Sequence, residues 1–61
     1  MNYAEAIKRS VKKAQYMAAY YHNISVACRD NGEPSAAALY QGMAAEYVAI
    51  HLALRGVTEA A

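Results

Sequence analysis

Arg9, Lys12, Lys13, Tyr16, Tyr20 and Asn23 recur at spacings of three and four residues in the N-terminal half of the chain. On a helix that spacing gathers them into a strip about 100° wide. Lys8 adjoins it, so four of the six cationic side chains fall between residues 8 and 13. Cations followed by two aromatics one turn apart suit two kinds of recognition. Lysine and arginine hold phosphates while bases stack on tyrosine. The same side chains also grip an acidic groove on a protein, because tyrosine and arginine are enriched among the residues that dominate protein interfaces. A third reading is a solvated helix face, with the tyrosines lying under lysine stems or against a neighbouring chain.

The remaining chemically capable residues are scattered. Glu46 is the only formal charge between Ala36 and Leu54 with histidine neutral. Its expected role is structural: paired with Lys13, Tyr16 or Tyr20, because a buried carboxylate needs a partner. Carboxylate-bridged metal bundles use a Glu-x-x-His spacing, and three residues after Glu46 stands Ala49. His22 and His51 fall at different levels of a hairpin, opposite Gln41 and Lys12, and are expected as half-wet boundary residues without a shared metal. Cys28 lacks a CxxC or Cys/His cluster and an activating neighbour, which suits an inert thiol. With no glycine-rich phosphate loop, no Ser/His/Asp set and no paired carboxylates, the expectation is a protein without catalytic activity, cofactor or metal.

The elements that must carry these residues follow from the placement of glycine and proline. The chain has 61 residues, and its one strongly punctuated stretch is Asp30-Asn31-Gly32-Glu33-Pro34-Ser35. Residues 3–29 contain neither glycine nor proline and predict one long helix ended by Gly32 or Asn31. Pro34 suits a first helical position with Glu33 or Ser35 near the cap, and Arg55-Gly56 reads as a last turn with its terminal glycine. The prediction is an all-α, single-domain antiparallel two-helix hairpin over 1–61, with helices at about 3–29 and 34–55, a turn at 30–33 and a tail at 56–61. Ile7, Val11, Ala14, Ala18, Tyr21 and Ser25, with Tyr3 beside them, form one stripe. Leu39, Met43, Tyr47, Ile50 and Leu54 form another, and the two are expected to face each other.

Composition then requires more than one hairpin. Fifteen residues are alanine and six tyrosine, against ten valine, isoleucine or leucine and no phenylalanine or tryptophan. A chain this short buries about 60% of its unfolded surface and normally needs a disulfide, a metal or self-association. One cysteine excludes an internal disulfide. The second helix carries a further apolar face, Ala38, Gly42, Ala45 and Ala49 with Leu52 at its edge, where small side chains admit another helix. We therefore expect a homodimeric four-helix bundle or a higher helical oligomer.

The net charge of +1 excludes a strongly basic nucleic-acid binder and an acidic tail protein. Residues 36–54 draw their apolarity mostly from alanine and contain Gln41, Glu46 and His51, a poor membrane span. No secretory signal is read at the start, so a cytoplasmic setting is expected. The length and hairpin layout are similar to those of plasmid copy-control RNA-binding hairpins and of many small phage and prophage proteins, a likeness of architecture that carries no function by itself. The expected function is a small non-enzymatic accessory protein that binds itself and modulates a protein partner. The alternative is a nucleic-acid or nucleotide binder using the basic-aromatic strip.

Overall fold

The computed structural model describes residues 2–60, with side chains described through Val57. Two helices account for nearly all of it: α1, Tyr3–Asp30, and α2, Pro34–Ala60. Asn2 caps α1, its Oδ1 accepting from the Ala4 amide at 2.8 Å, and Glu5 lies in the first turn. Both groups offset the unpaired amides and positive end of the helix. Three residues make the connection. Gly32, at φ +75°, adopts the left-handed conformation that costs an L side chain energy. It donates to the Arg29 carbonyl at 3.1 Å while Glu33 donates to that of Cys28 at 2.9 Å. This bond pair closes the last turn of α1. The Glu33 carbonyl then accepts from Ala37 at 3.0 Å, so α2 starts with Pro34 where its missing N–H is not needed.

The expected end of α2 at Arg55, with Gly56 terminating it, is corrected: α2 runs on through Ala60. Gly32 is the one glycine at positive φ. A glycine that stays right-handed weakens a helix without ending it, and Val57-Thr58-Glu59-Ala60 supplies no breaker.

The helices close on small side chains. Ala14, Ala37 and Ala44 are the buried hydrophobic residues and Ser25 has no exposed surface. Ser25 donates to the His22 carbonyl at 2.6 Å and lies 3.0 Å from Gln41 Oε1. One hydroxyl proton serves one acceptor, so both contacts are satisfied when Gln41 turns its amide NH2 toward Ser25. Beside this seam Tyr21 stacks on Tyr40 and on Tyr47, with centroids at 6.0 and 5.8 Å and rings within 14° and 12° of parallel. Alanine and serine set the helix separation, and the tyrosines fill the flank that this separation leaves open.

The α1 stripe falls as expected, from Ile7 and Val11 through Ala14, Ala18, Tyr21 and Ser25, except that Tyr3 is exposed. On α2 the expected stripe is corrected in part: Met43, Tyr47 and Leu54 are half-buried, whereas Leu39 and Ile50 face outward. Leu39 is 64% exposed and Ile50 46%. The face turned to α1 is Ala37, Tyr40, Ala44, Tyr47, His51 and Leu54. The two stripes differ by about 70°, less than one residue step. Packing decides between them: the observed setting seats alanines against α1 and allows the Tyr21 stack, whereas the other would wedge Leu39 and Ile50 into a seam too narrow for them.

The result is long and thin, 45 × 18 × 11 Å between Cα extremes with a radius of gyration of 14.1 Å. A compact domain of this length would have a radius of about 10.5 Å. Neither helix, over the described residues, is long and apolar enough to cross a membrane. The rotational setting is testable by thermal unfolding of dilute protein: Ala44→Leu should cost about 1–3 kcal/mol by overpacking the seam. Leu39→Ala should cost less than about 1 kcal/mol. The reverse order would place Leu39 in the seam.

Candidate interaction site

Arg9, Lys12, Lys13, Tyr16, Tyr20 and Asn23 are all exposed on the outer side of α1. Nothing interrupts α1 between Asn2 and Gly32, so the backbone positions of the six are fixed relative to one another. Tyr16 is 68% and Tyr20 49% exposed. Their rings lie 6.5 Å apart and within 19° of parallel. Tyr20 also meets Tyr21 edge-on at 5.3 Å and 80°, and Tyr21 belongs to the stack with Tyr40 and Tyr47. Five of the six tyrosines thus form one chain of ring contacts from solvent to the seam.

This arrangement differs from a row of lysines on a wet helix. Rings already braced by other rings lose little freedom when a partner lands on them. The cations have no such bracing: among the described residues no hydrogen bond or ion pair engages Arg9, Lys12 or Lys13. Chemically the surface offers two aromatic anchors with phenol hydroxyls at their tips, and mobile positive charge one turn toward the N-terminus. Tyr16 and Tyr20 were legible as a pair from their spacing. Their support was not, because Tyr40 lay outside the expected stripe of α2. Its seven-residue spacing to Tyr47, two turns on the same face, is the signal that points to it.

The expected pairing of Glu46 is corrected. Glu46 is exposed, and among the described residues no lysine or tyrosine bonds to it. The rotation of α2 that brings Ala44 into the seam carries Glu46 to the outside. His22 is exposed and His51 half-buried in the seam, where its Nδ1 is buried without a hydrogen-bond partner. Cys28 is a half-buried free thiol. Among the described residues no three metal-ligating side chains gather.

On the other side of the hairpin lies a shallow groove of about 430 Å³, lined by Ala18, Ala19 and His22 of α1 and Gln41, Ala44, Ala45 and Val48 of α2. Tyr20 is two residues from both Ala18 and His22, hence about 160° around α1 from each, so the contact that Tyr20 makes with Tyr21 lies on the flank away from the groove, and Tyr16 lies on the back of α1 between the two. Ala38, Gly42, Ala45, Ala49 and Leu52, the expected interface residues, are all exposed beside the groove.

Comparison of the chain with models of known protein families, with curated proteins and with solved structures finds no match.

Two substitutions check these placements. Glu46→Gln should change unfolding stability by no more than about 0.5 kcal/mol, since the carboxylate is wet and unpaired. His51→Leu should raise it by about 1 kcal/mol by removing an unsatisfied buried nitrogen. A destabilised His51→Leu would show that Nδ1 has a partner in solution.

Proposed function

We propose that this two-helix protein is a non-enzymatic, self-associating interaction module that binds and modulates a protein partner through the outer face of α1. The observation that supports it most is the continuous tyrosine chain, which braces exposed Tyr16 and Tyr20 on Tyr21, Tyr40 and Tyr47. Rigid aromatics at the centre of a surface are what protein interfaces use as anchors. The surroundings favour the same reading. Leu39 and Ile50 are exposed on the α2 side of these rings, whereas cations border them only on α1, and the whole chain carries +1. A nucleic-acid surface would surround its stacking rings with cations following a phosphate backbone. Nucleic-acid binding through Arg9, Lys12 and Lys13 is the second reading, supported by their clustering and their lack of ion-pair partners among the described residues. A role as a phage, prophage or plasmid accessory protein rests on the layout alone, two helices in a 61-residue chain.

Immobilised wild type, Tyr16→Ala/Tyr20→Ala and Lys12→Ala/Lys13→Ala should be compared for what each retains from extract of the source cells with and without nuclease treatment. Circular dichroism checks that each is folded. The tyrosine pair should bind a nuclease-resistant protein partner about thirtyfold more weakly if one ring is the anchor and several hundredfold if both are, at about 2 kcal/mol per anchor. The lysine pair should lose much less, mainly in association rate. A nuclease-sensitive ligand whose affinity falls steeply with salt, with a slope reduced by about one for each lysine removed, would replace this reading with the second. Indifference to both pairs would make the strip a solvated face.

A further inference from the structure

We propose that the groove side of the hairpin is covered by a second copy of the same chain, with α2 crossing its counterpart antiparallel about a two-fold axis beside Ala45. This rests on the self-association in the reading above and names its surface. The first argument is area. The chain exposes 4486 Å². A compact monomer of 6.6 kDa would expose about 3,900 Å². The surplus, about 600 Å², approaches the roughly 800 Å² that each partner of a standard interface covers. Much of the exposed apolar surface is on α2, which is apolar around most of its circumference: Ala37, Ala44 and Tyr47 toward α1, Leu39 and Ile50 on one outer side, Val48 and Leu52 on the other. A helix apolar on every side belongs in the interior of an assembly.

The second argument is shape, and it selects the occupant. An antiparallel two-fold pairing places residues equidistant from its centre opposite each other. With the centre at Ala45, Ala38 and Leu52 lie within about 20° of the contact line, and Ala38 faces Leu52 of the other copy at both ends. The largest exposed side chain of this face, Leu52 at 54% exposure, thereby meets one of its small ones. Gly42, about 60° to one side of Ala45, leaves the edge of the contact open, since nothing lies within 4 Å of a Cβ built there. A face that complements itself about one point is what an isologous dimer requires, and Ala45 on Ala45 lets the helices approach closely there.

Charge agrees. Lys8, Arg9, Lys12 and Lys13 are on α1, while α2 from Ala36 to Leu54 carries only Glu46 with histidine neutral. Glu46 is one residue from Ala45 and so points about 100° away from the axis. Pairing α2 with α2 keeps the cationic helices on the outside of a four-helix assembly. A foreign partner would find no charge on this face to recognise. The tyrosine flank, on the opposite side, stays open in the dimer.

The test is sedimentation equilibrium on the full chain with circular dichroism as the folding control. Wild type should be a dimer at micromolar concentration. Ala38→Leu should raise its dissociation constant at least about tenfold with the hairpin intact, because the exposed Ala38 side chain meets only Leu52 of the other copy. Ala38→Leu/Leu52→Ala exchanges the volumes across the axis and should recover most of the loss. Independently, Ala45→Cys/Cys28→Ser should form a disulfide-linked dimer on mild oxidation, faster and in higher yield than Leu39→Cys/Cys28→Ser. A monomeric wild type would overturn both the surface and the self-association. A dimer indifferent to Ala38→Leu but dissociated by Leu39→Glu or Ile50→Glu would overturn the surface alone, as would any stoichiometry other than two.

Discussion

The narrowness of the seam between the two helices governs the rest of the molecule. Ala14, Ser25, Ala37 and Ala44 are the buried residues there, so small side chains set the middle of the seam, while the larger Ile7, Val11 and Leu54 are only half-buried toward its open end. A seam of methyl groups and one hydroxyl buries little apolar surface, and burial is the main source of folding free energy. The stacked Tyr21, Tyr40 and Tyr47 add area on one flank only. Everything large that the seam refuses, from Leu39 and Ile50 to Val48 and Leu52, is pushed to the outside. The exposed apolar surface of α2 is therefore a consequence of the alanines.

That consequence gives the hairpin two different flanks. On one, the tyrosine chain reaches from the seam to solvent at Tyr16 and Tyr20, with Arg9, Lys12 and Lys13 close by. On the other, the groove between Ala18 and Ala45 is lined mostly by alanine, with Val48, Gln41 and His22 among them and no lysine, arginine or carboxylate. A braced aromatic surface with adjacent charge suits recognition of something different from itself. A neutral surface whose bulges match its own hollows suits recognition of a copy. The proposed division of labour, self-association on the groove side and partner binding on the tyrosine side, lets the two occur at once.

Local chemistry made the two helices and their connection legible in advance. Gly32 and Pro34 have conformational requirements that any fold must meet, and the long run without glycine or proline before them permits one outcome. The cap at Asn2 comes from the structure, although the Asn-x-x-Glu spacing to Glu5 is a sequence signal for it. The rotation of α2 was not legible. In α1 the lysines mark the outside, so periodicity selects one face. In α2 apolar residues occur on every side, so Leu39/Met43/Ile50 and Ala37/Ala44/His51 are equally periodic and only packing against α1 separates them. The misplacement of Glu46 follows from that one ambiguity, whereas the strip from Arg9 to Asn23 was found because it lies on the helix whose faces differ. Gly56 shows the complementary limit: a glycine signals a helix end only where the chain turns left-handed, and at Gly56 it does not.

On the proposed self-association, a seam this lean leaves the hairpin alone marginal and draws part of its stability from a second copy. The most direct measurement is the midpoint of thermal unfolding as a function of protein concentration, from below one micromolar to several hundred. Mass action then predicts a midpoint that climbs steadily with concentration, because the association that covers α2 is part of the folding equilibrium. A midpoint that stays constant over that range, in a sample that remains monomeric, would show that two helices closed on alanine, serine and three stacked tyrosines are sufficient by themselves, and would contradict the account.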